Sequence, residues 1–156
     1  STSGDPLKPV AQRIEKLVNQ KGTERVDPLR RKMQSVMMEY GSVFRDEQGL
    51  KKGIEAIRSL KKAYQTIEVV DKGKTYNYEL MEAIELGNQL DLAEVILTSA
   101  LHRKESRGAH FREDFPARAD RYYLNHTLVF KKARGGLVVK YKPVKITRFQ
   151  PQARIY

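Results

Sequence analysis

The side chains of this chain that could do chemistry are concentrated in residues 103–121. Ser106 and His110 stand four residues apart there, an arrangement that could suggest a serine nucleophile and its base. No Gly-x-Ser-x-Gly motif surrounds the serine, so the sequence does not place it on the sharp turn that such nucleophiles use. Glu113 and Asp114 are adjacent, and because adjacent side chains usually diverge they form a poor acid–base pair for one substrate. The segment therefore predicts no hydrolytic site.

Metal and cofactor motifs are also missing from the sequence. The three histidines, His102, His110 and His126, contain no i,i+4 pair, and the chain has no cysteine to complete a ligand set. The lack of cysteine further excludes a disulfide framework, a thiol nucleophile and a Cys-ligated iron–sulfur centre. No Gly-x-Gly-x-x-Gly and no Walker-type loop is present. We therefore predict no catalytic, metal-binding or cofactor-binding residue in this chain.

The segment does alternate basic and acidic side chains, with glycine, proline and two phenylalanines between them. One interpretation is a loop held against helices by ion pairs, with Phe111 and Phe115 as anchors; the other is a docking or active-site loop. Arginine suits the first role because its planar fork can hold a carboxylate at two points, and charge networks are usually structural. The charged residues are Arg103, Lys104, Glu105, Arg107, Arg112, Glu113, Asp114, Arg118, Asp120 and Arg121.

Helices must position this segment, because apolar residues recur every three to four positions through the first two thirds of the chain. Asp27, Asp46 and Asn77 are good N-caps for three of them. The fourth helix becomes apolar nearly all round at residues 92–97, which predicts burial on several sides, and Gly87 in it could admit a neighbouring element. The predicted helices run from about Pro6 to Gly22, Pro28 to Phe44, Glu47 to Ile67 and Tyr78 to Lys104.

The character of the sequence changes after residue 104. Residues 124–130 and 137–141 predict a β-hairpin around Arg134-Gly135-Gly136, with a third short strand at 144–149 and an extended tail from 150 to 156. The predicted fold class is mainly α: an antiparallel three- to four-helix bundle with a small C-terminal β-hairpin and an extended tail. We divide the chain into a helical bundle, 1–105, and a charged loop, hairpin and tail, 106–156, packed on the bundle or on a parent protein.

Length and charge bound the class of protein. The chain has 156 residues, 30 Lys and Arg and 19 Asp and Glu, a formal net charge of +11. One domain of this size is expected, and its charge favours an acidic protein face, a membrane surface or nucleic acid. A stand-alone helical nucleic-acid-binding module, using patches such as Arg30-Arg31-Lys32, is the alternative function, although no reading motif accompanies the charge. No apolar run approaches the ~20 residues of a membrane span, and the small polar residues 1–6 look like a linker or a cut edge.

Residues 106–116, Ser-Arg-Gly-Ala-His-Phe-Arg-Glu-Asp-Phe-Pro, resemble the C-terminal signature of the succinate dehydrogenase and fumarate reductase flavoproteins. L-Aspartate oxidase carries a related version of this part. Arg118, Asp120 and the run 124–128 continue the resemblance, and residues 40–45, 142–147 and 154–156 are similar to the dehydrogenases and reductases, so it extends from about residue 27 to the end. Ala119 and Asn125 depart from it, because the family often has a second acid and a lysine there.

The resemblance implies that this chain is the helical C-terminal domain of a flavin-dependent oxidoreductase that interconverts succinate and fumarate. FAD and substrate would be held by the flavin-binding and capping domains of the parent protein, so this fragment would contain no cofactor and would be inactive alone. The implied partners are those two domains, an iron–sulfur subunit and, indirectly, membrane-anchor subunits that exchange electrons with quinone; no nucleic acid is expected.

Within this interpretation the motif identifies the parent enzyme without supplying its chemistry. We expect a soluble fragment, and a parent that lies peripherally on the cytoplasmic face of the inner membrane if it is bacterial or archaeal. Six side chains are predicted to pin the loop or to form an interface: Arg107, His110, Arg112, Glu113, Asp114 and Arg118.

Overall fold

The computed structural model describes residue 5, residues 7–133 and residues 135–152, and over these ranges it confirms the predicted fold class. Four long helices are followed by a one-turn helix and a two-stranded antiparallel hairpin. In chain order the elements are α1 (Lys8–Asn19), α2 (Val26–Tyr40), α3 (Glu47–Tyr64), α4 (Tyr78–His102), α5 (Asp120–Tyr123), β1 (Asn125–Lys131) and β2 (Leu137–Pro143).

Two of the predicted N-caps are confirmed. The Asp46 carboxylate accepts a hydrogen bond from the Gly49 N–H at 2.7 Å, and the Asn77 side-chain oxygen accepts one from the Leu80 N–H at 2.8 Å. Each bond satisfies one of the backbone donors that the first turn of a helix leaves without a partner. Asn77 also donates to the Asp71 and Gly73 carbonyls, so it fixes the turn that leads into α4.

The helices α3 and α4 run antiparallel, as their paired side chains show. Arg58 contacts Glu94 at 2.8 Å, Lys61 contacts Asp91 at 2.5 Å, and the Tyr64 hydroxyl donates to the Ala83 carbonyl at 2.8 Å. The partner on α4 moves toward its N-terminus as the residue on α3 moves toward its C-terminus. The α2 helix packs on both α3 and α4, which gives an up–down–up bundle.

The α4 helix lies at the centre of the molecule, in contact with the other three long helices and with both strands. Leu86, Leu90 and Leu97 are completely buried along it. Gly87 is approached closely, because a Cβ placed there would lie 2.6 Å from the Tyr64 hydroxyl oxygen. The expectation of burial all round was wrong at two positions: Leu92 is 60% exposed and Ile96 is 47% exposed. Within the described residues, the side of α4 that carries these two residues is uncovered.

All four predicted helices ended too late, and the second one also started too late. The α2 helix begins at Val26 with Arg25 as its N-cap residue, so Asp27 lies in the first turn and pairs with Arg31 instead of capping the helix. It ends at Tyr40, and Phe44, 68% exposed, lies in the following loop. The α3 helix stops at Tyr64, and α4 stops at His102 instead of Lys104.

Ile67 is completely buried although it lies outside α3. It forms a parallel bridge with Glu24, and the Glu68 N–H donates to the Glu24 carbonyl at 2.9 Å. Gly22 is required beside this bridge, because a Cβ there would lie 2.0 Å from the Thr66 carbonyl oxygen. The segment after α1 is thereby fixed to the segment after α3.

The hairpin pairs β1 with β2 from Asn125 opposite Pro143 to Lys131 opposite Leu137. Gly135 and Gly136 have positive φ angles of 85° and 80°, which glycine adopts without strain. The third strand predicted at residues 144–149 is absent, since the described residues after Pro143 form no ladder. The predicted tail lies outside the described residues from 153 onward. Searched over the described residues, no helix has the length and apolarity that a bilayer crossing requires.

Candidate functional site

The charged segment, residues 103–120, forms a compact loop that folds back on itself. Ser106 fixes it, because its hydroxyl donates to the Phe115 carbonyl at 2.9 Å and accepts from the Arg112 N–H at 2.8 Å. Arg107 and His110 exchange backbone hydrogen bonds around Gly108, whose φ is +57°. Ser106 makes no hydrogen bond with the His110 side chain, so the loop holds no nucleophile–base pair.

Arg112 is completely buried at the centre of this loop. Its Nε and Nη2 donate to the two carboxylate oxygens of Asp114, both at 2.7 Å. Its Nη1 donates to the carbonyls of Ala100 and Leu101, at 2.9 and 3.2 Å, in the last turn of α4. The guanidinium thus satisfies carbonyls that the helix end leaves without intrahelical partners and places a positive charge at the negative end of the helix dipole.

Asp114 carries the contact onward to the next helix. Its Oδ2 accepts a hydrogen bond from the Glu47 N–H at 3.0 Å, at the positive end of α3. The Arg112 hydrogen bond lowers the pKa of the Asp114 carboxyl, and the Glu47 N–H adds to this effect against burial. The pair Arg112–Asp114 therefore joins the C-terminus of α4 to the N-terminus of α3, with each charge at the helix end that favours it.

Glu105 forms a second centre, also completely buried. Arg107 donates to both of its carboxylate oxygens, at 2.9 and 3.0 Å, Ala119 donates its N–H at 2.8 Å, and Arg103 donates as well. Burial by itself would raise the pKa of the Glu105 carboxyl, but these hydrogen bonds outweigh it and hold the pKa below its ordinary value. Arg107 also pairs with Asp120, and Glu105 raises the pKa of the Arg107 guanidinium.

His110 links the loop to α2. Its Nε2 lies 3.0 Å from the Arg103 carbonyl and its Nδ1 lies 3.0 Å from Nη1 of Arg45. The carbonyl can only accept and the guanidinium can only donate, so these partners assign the neutral imidazole with its proton on Nε2. Burial, opposed only by the bond to Arg103, lowers the pKa of His110, and the nearby arginines add to that lowering. Arg45 in turn donates to the Gly41 carbonyl after α2.

The other two predicted site residues lie at the edge of the loop. Arg118 donates to Asp120 at 2.8 Å and to the Gln152 carbonyl at 2.6 Å, so it contacts the start of the tail. Glu113 is exposed, and only its backbone N–H is engaged, with the Arg45 carbonyl at 2.8 Å. The structure thus brings five of the six predicted side chains into the network, and the Glu113 carboxylate makes no hydrogen bond or ion pair with a described residue.

Four members of the network were not singled out from the sequence: Arg45, Arg103, Glu105 and Asp120. The last three lie in the same alternating run, so the signal was present without indicating which charges meet. Arg103 donates to the carbonyls of Tyr123 and Asn125, at 2.9 and 2.6 Å, and so ties the end of α4 to the hairpin. Arg45 is distant in sequence and had no signal of its own beyond lying in the run 40–45.

The network can hold α2, α3, α4 and the hairpin together, but it offers little to a ligand. The Arg112 and Arg107 guanidinium groups are engaged by carboxylates and carbonyls, so they are not available to a phosphate or a substrate carboxylate. Within the described ranges no cluster of three or more His, Cys, Asp or Glu side chains could hold a metal ion. The geometry is that of a loop held against the helix ends by buried ion pairs, with Glu113 and Arg118 exposed at its edge.

Residues 30–156 match the family described as fumarate reductase flavoprotein C-term. The fumarate reductase flavoprotein subunit of Haemophilus influenzae is 42% identical over 149 residues, covering 96% of this chain and 25% of the relative. The succinate dehydrogenase flavoprotein subunit of Rickettsia bellii is 41% identical over 152 residues, 97% of this chain and 26% of the relative. The chain thus spans about a quarter of the length of these relatives.

Solved structures give the same result. The E. coli quinol fumarate reductase FrdA, in a mutated form, superposes with a TM-score of 0.88 at 34% identity over 97% of this chain and 28% of its own. A quinol–fumarate reductase solved with menaquinol molecules superposes with a TM-score of 0.86 at 35% identity over the same shares. None of these relatives is named as a nucleic-acid-binding protein, so the comparisons lend no support to that alternative. The chain belongs to the fumarate reductase flavoprotein C-terminal family, which succinate dehydrogenase flavoproteins share.

Proposed function

We propose that this chain is the structural and docking domain of a flavin-dependent oxidoreductase that interconverts succinate and fumarate. The observation that carries the proposal is the unequal coverage: the similarity takes in 96% of this chain but only 25% of a fumarate reductase flavoprotein subunit. The larger part of such a protein would bind the flavin and perform the chemistry. This domain would supply a rigid surface to which that part is attached.

The proposed longer protein would use FAD, which accepts and donates the electrons of the succinate–fumarate couple. The residues of this chain do not fit the cofactor. Its sequence has no Gly-x-Gly-x-x-Gly loop for a pyrophosphate, and Arg107 and Arg112, which could attract phosphate, are engaged by Glu105 and Asp114. We therefore assign no step of the reaction to this chain.

The role of the charged segment follows from its position. We propose that Arg107, Arg112, His110 and Asp114 pin the loop on the ends of the helices, and that Arg118 and the exposed Glu113 lie where the loop meets a partner. The buried charges would hold the loop in place, and the exposed side chains at its edge would stay available to a partner. The division into 1–105 and 106–156 is part of the same proposal, with Arg103 and Glu105 as the connection between the two units.

The remaining partners are proposed from the relatives. One is titled a quinol–fumarate reductase with menaquinol molecules, and we propose that the parent of this chain likewise joins an iron–sulfur subunit and, through it, membrane-anchor subunits that exchange electrons with a quinone. In a bacterial or archaeal cell, the complex would lie peripherally at the cytoplasmic face of the inner membrane. Leu92 and Ile96, exposed one turn apart on α4, fit a surface that a neighbouring domain covers.

The test is to express the complete reading frame that encodes this chain alongside the 156-residue chain alone. We expect the complete protein to contain flavin and to reduce fumarate with a reduced dye as electron donor, and the 156-residue chain with added FAD to show neither. Turnover by the 156-residue chain, or a complete protein that binds no flavin, would refute the proposal. Circular dichroism of the 156-residue chain serves as the control that it is folded.

A further inference from the structure

The positive charge of this chain is distributed very unevenly. The last 36 residues contain no Asp or Glu, and their basic side chains are Arg121, Lys131, Lys132, Arg134, Lys140, Lys142, Lys145, Arg148 and Arg154. The first 120 residues hold the other 21 basic side chains and all 19 acidic ones. Nine of the eleven excess positive charges therefore lie in the C-terminal part of the chain, which contains the hairpin.

The bundle does not neutralise this charge. Among the described residues, Lys131 is the one cation after residue 120 with a carboxylate partner, Asp91 at 3.6 Å. The arginines of the charged segment behave differently, since Arg103, Arg107, Arg112 and Arg118 each contact a carboxylate. Exposed carboxylates of the bundle, such as Glu55 and Glu85, make no ion pair with a described cation of the hairpin. Apart from Lys131, the described cations of the hairpin are therefore available to carboxylates outside the described residues.

The register of the hairpin shows how these cations are presented. Side chains alternate between the two faces of a strand, and Tyr141, whose hydroxyl donates to the His102 carbonyl at 3.1 Å, marks the face toward α4. The opposite face, called here the hairpin face, has an apolar centre beside two lysines. Its cross-strand pairs are His126 with Lys142, Leu128 with Lys140 and Phe130 with Val138.

The apolar centre of the hairpin face is open. Phe130 is 50% exposed, Leu128 is exposed as well, and the Lys140 ammonium lies 5.6 Å from the centroid of the Phe130 ring. An apolar centre with a charged rim is the anatomy of a protein–protein contact. Lys140 can contact a phosphate and Phe130 can stack on a base, but Leu128 and its neighbour Val138 make the rest of the centre aliphatic, which fits an apolar protein patch better.

We propose that the hairpin face docks a protein surface that presents Asp and Glu side chains around an apolar patch, within the larger flavoprotein assembly. The proposal rests on the proposed function, since that assembly is what would supply the surface. A ribbon two strands wide and about 23 Å long presents roughly a few hundred Å², less than the ~800 Å² per partner of a stable interface. The hairpin face is therefore one part of a larger contact, and its lysines form ion pairs with carboxylates at the rim of that contact, which salt weakens.

Carbodiimide treatment of the assembly purified with the complete protein tests this directly, because the reagent joins an ammonium to a carboxylate in contact with it, with loss of water to the reagent. We expect mass spectrometry to find amide links from Lys140 or Lys142 to Asp or Glu side chains outside residues 1–156. The link between Lys131 and Asp91 is the internal positive control. Detection of that link without any from Lys140 or Lys142 would overturn the proposal.

A pair of charge-reversal variants gives an independent readout. In the complete protein, Lys140→Glu with Lys142→Glu should weaken retention of the partner domain or subunit about tenfold at low salt, and the difference should shrink at high salt. The matched control is Lys52→Glu with Lys62→Glu, which changes the same charge on exposed positions of α3. Equal behaviour of the two double variants would contradict the proposal, provided that both have the thermal stability of the parent.

Two further outcomes would also overturn it. Hairpin variants that lose binding to vesicles containing phosphatidylglycerol, or to duplex DNA, while keeping every protein contact would assign the hairpin face to a membrane or to nucleic acid. The proposed function fails separately, through a complete protein without flavin or fumarate reduction. A protein that is active but forms no link from the hairpin lysines would refute only the docking proposal.

Discussion

At the scale of single residues, the most informative feature is a buried arginine that serves two helices at once. Arg112 binds carbonyls at the end of α4 and, through Asp114, the first N–H of α3. Each charge lies at the helix terminus whose dipole it complements. A buried guanidinium is costly unless every donor is engaged, and here all three of its nitrogens donate. The loop is therefore held in one conformation.

Replacing Arg112 with alanine should be severe, because it leaves the α4 carbonyls buried without donors and Asp114 without its cation. We expect a loss of about 2–4 kcal/mol in the free energy of unfolding, below the largest values for buried pairs because Asp114 is partly exposed. Arg112→Lys should have a stability between those of the parent and of Arg112→Ala, since an ammonium keeps the charge but cannot make the two-point contact with Asp114. Urea denaturation measures the difference. The control is Arg31→Ala, whose exposed pair with Asp27 should contribute less than about 0.5 kcal/mol; equal losses would contradict this interpretation.

His110 should make the stability depend on pH near neutrality. Its pKa is lowered in the folded chain, chiefly by burial, so the unfolded chain binds the proton more tightly. The stability that neutral His110 contributes to the folded chain is therefore fully present above the unfolded-state pKa, about 6.5. It is lost as the pH falls from that value through the lower pKa of the folded state. Urea midpoints between pH 8 and pH 5 should show this loss. The variant His110→Gln can donate to the Arg103 carbonyl and accept from Arg45 without titrating, so it should remove most of this pH dependence. If the urea midpoint of the variant changes with pH as much as that of the parent, His110 is not the titrating group.

The sequence anticipated the charged network but not its pairing. The alternation of signs was compatible with a loop held by ion pairs and with a docking loop; the structure pairs Arg107 with Glu105 and Arg112 with Asp114. Glu113 and Asp114 were indistinguishable by type, yet only Asp114 faces Arg112. Which of two adjacent carboxylates turns inward depends on the backbone path, and that path is set by Ser106 and by helix ends distant in sequence. No local pattern contains this information.

At the scale of elements, helix starts were predicted where a side chain caps them and missed where tertiary contacts decide. Asp46 and Asn77 cap their helices through their own oxygens, a purely local interaction. Asp27 does not cap its helix. The Thr66 carbonyl holds Thr23 and Glu24 in extended conformation, and α2 already begins at Val26, so Asp27 lies inside the first turn. Helix ends were overextended for a related reason: Ile67 continues the apolar period but is buried from a bridge, not from a helix.

Two glycines on one helix give a test of how closely α2 and α3 approach. A Cβ at Gly53 would lie 2.9 Å from the Tyr40 Cβ, whereas one at Gly49 would meet nothing closer than 3.5 Å. We expect Gly53→Ala to destabilise the chain by about 1–2 kcal/mol, the overpacking cost less the helical gain of alanine. Gly49→Ala should be neutral or stabilising by up to about 1 kcal/mol. Thermal and urea unfolding distinguish them, and a Gly53→Ala variant as stable as the parent would show that the helices can separate at no cost.

At the scale of the whole molecule, the hairpin depends on the bundle for its order. An isolated two-stranded hairpin is marginally stable in water, and this one packs on α4 through Tyr141 and is tied to it by Arg103, which donates to Asn125 and to the Thr127 hydroxyl. The buried apolar core contains residues of the helices and of the segment after α3, and no described residue of the hairpin belongs to it. The molecule should therefore contain two units of unequal stability, with Arg103 as the coupling between them.

Hydrogen exchange measures that coupling. Arg103→Ala should accelerate amide exchange in β1 and β2 by about tenfold or more, a local loss of ~1.4 kcal/mol, while the buried amides of α3 and α4 stay protected. Arg118→Ala, which removes contacts to Asp120 and Gln152 but none to the hairpin, is the matched control and should leave the strands unchanged. Faster exchange throughout the bundle would mean that the bundle and the hairpin unfold as one unit. In that case the charged segment would be part of a single core, and the hairpin face would be as rigid a docking surface as the helices themselves.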